Sequence, residues 1–168
     1  MHSKPAAVLD ASLVFTLSSA GILERMLASS RYAWHITPLV RGVIARRETR
    51  EVIDHAITGG RLPVTEIDIA DPAQVDAWVA WEQIVDVGEA EAIVIALARD
   101  CVVGLEDRHA QRALDRRIGA GRWINATNLL LDGVEDAVMT LPEANAIFLT
   151  LDAYPGYRKR GIDTLSDF

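Results

Sequence analysis

The stretch GEAEAIVIALARDCVVGLEDRHAQRA, residues 88–113, decides the fold. It predicts an apolar helix, a short buried strand and a second helix, an alternation that favours a parallel sheet covered by helices. The first helix begins with Glu89 and Glu91, and the strand ends at Glu106 and Asp107. Carboxylates on both sides of a buried helix-strand unit repel one another unless a cation lies between them. The pattern therefore indicates a metal site.

The same alternation extends along the rest of the chain. Its 168 residues correspond to about one domain. We predict a single α/β domain over residues 1–168, a three-layer α/β/α sandwich around a parallel sheet of four or five strands, with a helical tail from about residue 126. The predicted strands or extended segments are AAVLD (6–10), AWHI (33–36), LPVTEIDI (62–69), CVVGL (101–105) and RWIN (122–125).

The helical patterns are equally regular. A helical stretch at 13–30 is divided by Gly21, Pro38 opens one long helix that ends at Gly59, and Asp71 precedes a helix across 73–85. The helical tail is interrupted near Pro142.

Composition limits the classes of protein that remain. Half of the residues are hydrophobic, which suffices for one core, and the net charge of -7 excludes a histone-like basic protein. The single Cys101 cannot form an intrachain disulfide and fits a small buried residue in a reducing compartment. Asp10 interrupts the leading apolar run, and no span approaches the ~20 apolar residues of a membrane helix. We expect a soluble, cytoplasmic protein without membrane contact.

The acidic residues follow strand ends. In open α/β sheets ligands bind beyond the carboxyl ends of the strands. Asp10 ends the first strand, and we expect its strand to lie beside the one that ends at Asp107. Each aspartate can also cap the helix that follows it, and Glu89 is favoured on a first helical turn by the helix dipole. Glu91 shares a helix face with apolar residues and is expected to be partly buried.

If these carboxylates converge at one sheet edge, a bound cation explains their presence better than helix capping or the helix dipole does. Several carboxylates at one sheet edge repel strongly without one, and hard oxygen ligands suit Mg²⁺ or Mn²⁺. The histidines, His2, His35, His55 and His109, have no recurring metal-ligand spacing.

Other enzyme classes lack their required residues. The lysines, Lys4 and Lys159, are both terminal, so a receiver-type phosphoacceptor domain lacks its lysine. The chain contains no GxxxxGK[ST] motif, and no GxGxxG motif follows a strand, which removes P-loop and dinucleotide-binding enzymes.

Four segments resemble the PIN-domain ribonucleases, in particular the VapC-like toxin relatives whose helix begins with Gly-Glu-x-Glu-Ala. The segments are VLDASLV (8–14), VGEAEAIVIALA (87–98), VVGLEDRHAQRAL (102–114) and, more weakly, INATNLLLDGV (124–134). The resemblance implies metal-dependent cleavage of RNA by the toxin of a toxin-antitoxin pair, hence an RNA substrate, an antitoxin partner and a homodimer. It also implies Mg²⁺ or Mn²⁺ as the cofactor. It makes Asp10, Glu91 and Asp107 the metal-binding catalytic residues, with Ser12, Glu89 and Glu106 as secondary candidates.

One position departs from the family pattern. Relatives carry a further glutamate in a Pro-x-Val-x-x-Glu-Val stretch, and alignment on Pro38 places Val43 there. Glu48 and Glu51 lie five and eight residues further along and do not substitute simply. The alternative function is therefore a catalytically weakened PIN-like module that binds RNA or a protein partner.

Arginines and tryptophans complete the candidate surfaces. Arg108 and Arg112 share a helix face beside the acidic cluster, whereas the group Arg41, Arg46, Arg47 and Arg50 fits a solvated face better than an RNA contact. Trp78, Val79 and Trp81, with residues 14–27, offer more apolar surface than a small domain readily hides, which also predicts a homodimer.

Overall fold

The computed structural model describes residues 4–29, 31–151 and 165. Its sheet consists of β1 (Ala6–Leu9), β2 (Ala33–Ile36), β3 (Val102–Gly104) and β4 (Trp123–Ile124). All paired strands are parallel, in the order β2-β1-β3-β4. The predicted parallel sheet of four or five strands is confirmed, and the strands that precede Asp10 and Asp107 are neighbours as expected.

Helices connect and cover the strands. They are α1 (Ala11–Ser19), α2 (Leu23–Ser29), α3 (Pro38–Val43), α4 (Arg47–Thr58), α5 (Pro72–Glu82), α6 (Val87–Ala98), α7 (Arg108–Arg117), α8 (Ala126–Glu135) and α9 (Leu141–Leu151). The predicted division at Gly21 is confirmed; its φ of 71° is a left-handed conformation that glycine adopts without strain. No helix within the described ranges is long and apolar enough to cross a membrane.

The predicted single helix from Pro38 to Thr58 is wrong. The chain leaves helical geometry at Ile44, whose φ and ψ are -74° and 95°, and α4 begins three residues later. Two contacts explain the break: the Ile44 side chain is buried in the core, and the Arg50 side chain donates through Nε and Nη2 to the Ile44 carbonyl. Gly42 and the β-branched Val43 offer little helix propensity against these contacts.

The segment 62–69 is extended but joins the sheet only locally. Val64 forms a single parallel bridge with Ile36 at the end of β2. Leu62 and Ile67 are buried on either side of this bridge and anchor the segment. The segment thus borders the carboxyl end of β2.

The core lies on both faces of the sheet. On β1, Ala7 and Leu9 pack into one apolar cluster with α1, α2, α4, α8 and α9, whereas Val8 packs into the other with α5, α6 and α7. Alternate strand residues point to opposite faces, so this division defines three layers, as predicted. Gly104 permits the close approach of α1, because a Cβ there would lie 2.4 Å from Leu13 Cδ2.

Candidate metal centre

Asp10 is a buried carboxylate at the carboxyl end of β1, only 3% exposed. It caps α1, and its Oδ2 accepts hydrogen bonds from Ser12 N (2.9 Å) and Ser12 Oγ (2.5 Å). Burial raises the pKa of Asp10; the Ser12 bonds oppose this, and the charge of Asp107 adds to it. The interaction with Asp107 shows that the two aspartates lie at the same end of the sheet.

Asp107 is an exposed carboxylate at the start of α7. Its Oδ1 accepts hydrogen bonds from His109 N (2.7 Å) and Ala110 N (2.9 Å). The capping explanation considered for both aspartates is therefore correct. It does not compete with metal binding, since these bonds use Oδ1 and a carboxylate has a second oxygen.

Glu89 is the third carboxylate of this edge. Its Oε2 accepts a hydrogen bond of 3.3 Å from Asp86 N, which closes a capping box at the start of α6. Burial, together with the charges of Asp10 and Asp107, raises the pKa of Glu89 to about 7. Glu89 therefore lies within electrostatic range of the two aspartates, although the family resemblance placed it only among the secondary candidates.

Glu91 faces a different neighbour. Its Oε2 accepts a hydrogen bond of 3.2 Å from Leu39 N in α3, and the Thr37 side chain also bonds to it. Burial raises the pKa of Glu91, these bonds lower it, and the charge of Glu66 raises it. The expected partial burial is confirmed, since Glu91 is 6% exposed. However, two residues along a helix turn the side chain by about 200° from Glu89, so Glu91 connects α6 to α3.

Ser12 and Glu106 connect the ends of β1 and β3. Ser12 Oγ donates to Asp10 and accepts a hydrogen bond of 3.1 Å from Glu106 N. The Glu106 carboxylate accepts a bond of 2.6 Å from Ala126 N at the start of α8. Burial raises the pKa of Glu106 to about 7 despite that bond. Ser12 thus holds Asp10, whereas Glu106 is directed towards α8.

The donor chemistry of this edge fits a hard divalent cation. Asp10, Glu89 and Asp107 supply carboxylate oxygens whose charges oppose one another, and a cation would reverse the sign of that interaction. Among residues 4–29, 31–151 and 165, no three or more His, Cys, Asp or Glu side chains are grouped closely enough to hold a metal ion. The ligand set consequently stays a prediction.

The position at which the family pattern has a further glutamate is exposed to solvent in this protein. Val43 is the last residue of α3 and is 57% exposed. Glu48 and Glu51 lie in α4, beyond the break at Ile44, and Glu51 pairs with Arg47 at 2.7 Å. Residues 38–43 themselves contain no acidic residue. The departure from the family pattern at Val43 is therefore not compensated from within α3.

The arginines of α3 and α4 have local partners. Arg41 pairs with Asp54 at 2.9 Å, Arg47 pairs with Glu51, and Arg50 donates to the backbone carbonyl of Ile44. These local contacts are those of a solvated face, as the sequence favoured, and each uses only part of the hydrogen-bonding capacity of its guanidinium.

The raised carboxyl pKa values predict how stability depends on pH without metal. Glu89 and Glu106 have pKa values of about 7 in the folded protein, above the ordinary value of 4.5. Between these values the folded state holds protons that the unfolded chain has released, so we expect stability to fall as pH rises from about 4.5 to about 7. Melting temperatures measured in EDTA across this range test it. Glu89→Gln and Glu106→Gln should each reduce the slope, and a stability that rises with pH would contradict the assignment.

No family model matches the chain, and no curated protein matches it. Among the solved structures that resemble it are two at 20% identity. A PilT N-terminus domain protein, SSO1118 from the hyperthermophilic archaeon Sulfolobus solfataricus, gives a TM-score of 0.46 over 77% of this chain and 94% of its own. PAE2754 from Pyrobaculum aerophilum gives a TM-score of 0.44 over 80% of this chain and 99% of its own. The α/β assignment rests on the chain's own sheet order and two-sided core.

Proposed function

We propose that this protein is a divalent-metal-dependent endoribonuclease of the PIN-domain toxin type. The observation that carries the proposal is that Asp10 and Asp107 follow the carboxyl ends of adjacent parallel strands, and that the charges of Asp10, Glu89 and Asp107 act on one another there. Such an edge is where α/β proteins bind ligands. The resemblance of residues 8–14 and 87–114 to PIN-domain ribonucleases supplies the reaction.

Asp10, Glu89 and Asp107 would hold Mg²⁺ or Mn²⁺. A divalent cation at this edge would neutralise the charge of a phosphodiester and supply an activated water for its hydrolysis. Glu91, which the sequence placed among the ligands, is proposed instead to fix α3 beside the site through Leu39 and Thr37.

Helix caps prepare the site before metal arrives. Asp10 and Asp107 are each held by backbone N–H groups of the helix that follows, and Ser12 Oγ adds a side-chain bond to Asp10. Carboxylates fixed in this way lose little side-chain freedom on binding a cation. The rigid β1 and β3 ends, joined by the bond from Asp10 N to Gly104 O at 3.0 Å, keep the two aspartates in place.

Metal should both stabilise the protein and support cleavage. At a metal concentration of about 100 Kd the gain is about 2.7 kcal/mol, which for a domain of this size raises Tm by roughly 5–10 °C. We expect that rise with Mn²⁺, together with cleavage of a fluorescent single-stranded RNA that EDTA stops. Asp107→Asn should show neither response. Wild-type protein with no rise in Tm and no cleavage in Mn²⁺ would refute the nuclease proposal.

A second function is favoured by one observation. The exposed Val43 occupies the position at which the family pattern has a glutamate. The alternative to a ribonuclease is therefore a catalytically weakened PIN-like module that binds RNA or a protein partner. RNA binding that persists without metal, in protein that does not cleave, would support it.

An antitoxin partner and a homodimer also belong to the proposal. The sequence predicted a dimer from an excess of apolar surface. Part of that surface is internal, because Trp81 and Leu17 are buried in the core. Phe15 and Val79 are 41% and 54% exposed and supply apolar surface that a second subunit could cover.

A further inference from the structure

The break between α3 and α4 opens a cleft, which we call the α3–α4 cleft. Its volume is about 350 Å³, within the range of small-ligand sites. The lining residues are Pro38, Arg41, Gly42, Ile44, Arg50, Ile53, Asp54, Val64 and Glu66. The cleft therefore lies where α3, the turn at Ile44 and α4 meet the extended segment 62–69.

The cleft lies beside the acidic edge. Pro38 follows directly after β2, and Val64 is bridged to Ile36, the last residue of β2. Since β2 pairs with β1 in parallel at about 4.8 Å, the end of β2 that borders the cleft neighbours the strand end that carries Asp10. Glu91 borders the cleft, because it accepts a hydrogen bond from Leu39 N next to Pro38 and its charge interacts with that of Glu66. A strand of RNA whose phosphate sits at Asp10 can therefore place a neighbouring nucleotide in the cleft.

The walls and rim of the cleft differ in chemistry. Ile44 and Ile53 are buried to 1% exposure and form an apolar floor, whereas the more exposed Pro38 and Val64 provide the apolar surface that a ligand can reach. Arg50 is held by two bonds to the Ile44 carbonyl, of 2.8 and 2.5 Å. Arg41 donates through Nε and Nη2 to a single oxygen of Asp54. A guanidinium carries five N–H groups, so both arginines keep further donors, and the carboxylates of the rim supply acceptors.

We propose that the α3–α4 cleft binds a guanine base of the nucleotide that neighbours the scissile phosphate. The proposal deepens the ribonuclease function proposed above and names a specificity site for it. The side chains of Pro38 and Val64 contact the flat face of the base. Arg41 and Arg50 donate to its O6 and N7, and Asp54 and Glu66 accept from its N1–H and N2–H₂ groups.

Guanine matches this rim better than the other bases. It presents two acceptors, O6 and N7, on one edge, which is the pattern that arginine recognises, together with an N2–H₂ donor group. Adenine places an amino donor where guanine has O6, and would face the arginines with like polarity. The two arginines and two carboxylates also balance in formal charge, which suits an uncharged base rather than a phosphate.

Gly42 lines the cleft and provides a variant that adds a side chain at its wall with little risk to folding. It lies in α3, and no atom lies within 4 Å of a Cβ placed there. Gly42→Leu therefore enters open space and raises helix propensity. Val43→Leu is the matched control, because Val43 is the next residue of the same helix, is exposed, and does not line the cleft.

Titration of 5′-GMP into the metal-free protein, followed by calorimetry or NMR shifts, tests the site. We expect saturable binding that is stronger than for AMP, CMP or UMP, weakened about tenfold or more in Gly42→Leu and kept in Val43→Leu. No saturable GMP binding, equal binding of all four nucleotides, or unchanged binding in Gly42→Leu would overturn the proposal.

RNA cleavage separates this proposal from the ribonuclease proposal. In Mn²⁺ we expect the wild type to cleave at one fixed position relative to a guanine, and Gly42→Leu to cleave without that preference. Cleavage whose guanine preference is unaffected by Gly42→Leu contradicts the cleft alone. Specific GMP binding in a wild-type protein that cleaves no RNA contradicts the nuclease and leaves the cleft standing.

Discussion

Asp10→Asn should abolish metal-dependent RNA cleavage, with a loss of at least about 10²-fold, the usual effect of removing one preorganised electrostatic group. The metal-free protein should melt at the wild-type temperature or above it. Asparagine caps a helix as well as aspartate does, so the bond from Ser12 N to Asp10 has a replacement. The substitution also removes a buried charge whose pKa burial has raised. Cleavage activity should therefore fall while the melting temperature stays the same or rises.

Asp71→Asn is the matched control for this result. Asp71 caps α5 as Asp10 caps α1, and its Oδ1 accepts a bond of 3.0 Å from Ala73 N. Initial cleavage rates in Mn²⁺ and melting temperatures in EDTA should be measured for both variants. Asp71→Asn is expected to cleave at the wild-type rate. An Asp10→Asn protein that is folded and cleaves normally would remove Asp10 from the site.

The two glutamates of α6, Glu89 and Glu91, should respond differently to the same substitution. Glu89→Gln is expected to lower cleavage by about 10²-fold and to raise metal-free stability, since it relieves the repulsion by Asp10 and Asp107. Glu91→Gln keeps an oxygen that can accept from Leu39 N, so its rate should stay within a few fold of wild type. Its stability should change by about 1 kcal/mol at most, the typical worth of one hydrogen bond.

Each variant serves as the control for the other, because both lie on one helix and both exchange a carboxylate for an amide. Parallel measurement of cleavage, Mn²⁺ affinity and Tm decides between them. The reverse ranking, with Glu91→Gln inactive and Glu89→Gln active, would return Glu91 to the ligand set that the family resemblance implied.

The sequence predicted those parts of the fold that depend on local pattern. Short apolar runs gave β1 and β3, and their shared edge followed from the parallel arrangement that helix-strand alternation requires. The caps at Asp10 and Asp107 were also readable, because an aspartate before a helical pattern is a local signal.

The break at Ile44 could not be predicted from the local sequence pattern. Residues 38–58 follow a helical pattern throughout, and the break depends on burial of Ile44 and on the bond from Arg50 to its carbonyl. Both are tertiary contacts. The α3–α4 cleft was therefore also out of reach of sequence reasoning.

The roles of Glu89 and Glu91 could also be predicted only in part. Helical periodicity predicted that Glu91 is buried, which is correct. It could not show what each carboxylate faces, because that depends on where α3 packs against α6. The contact from Leu39 N to Glu91 settles this in three dimensions.

A crystal of the protein soaked in Mn²⁺ and measured at the manganese absorption edge tests the central claim most directly. We expect an anomalous peak between the carboxylates of Asp10 and Asp107, with an oxygen of Glu89 in its coordination shell. The same experiment on Asp107→Asn should weaken or remove that peak. A manganese peak bound elsewhere, or none at this edge under saturating Mn²⁺, would contradict the assignment of these three carboxylates as the metal site.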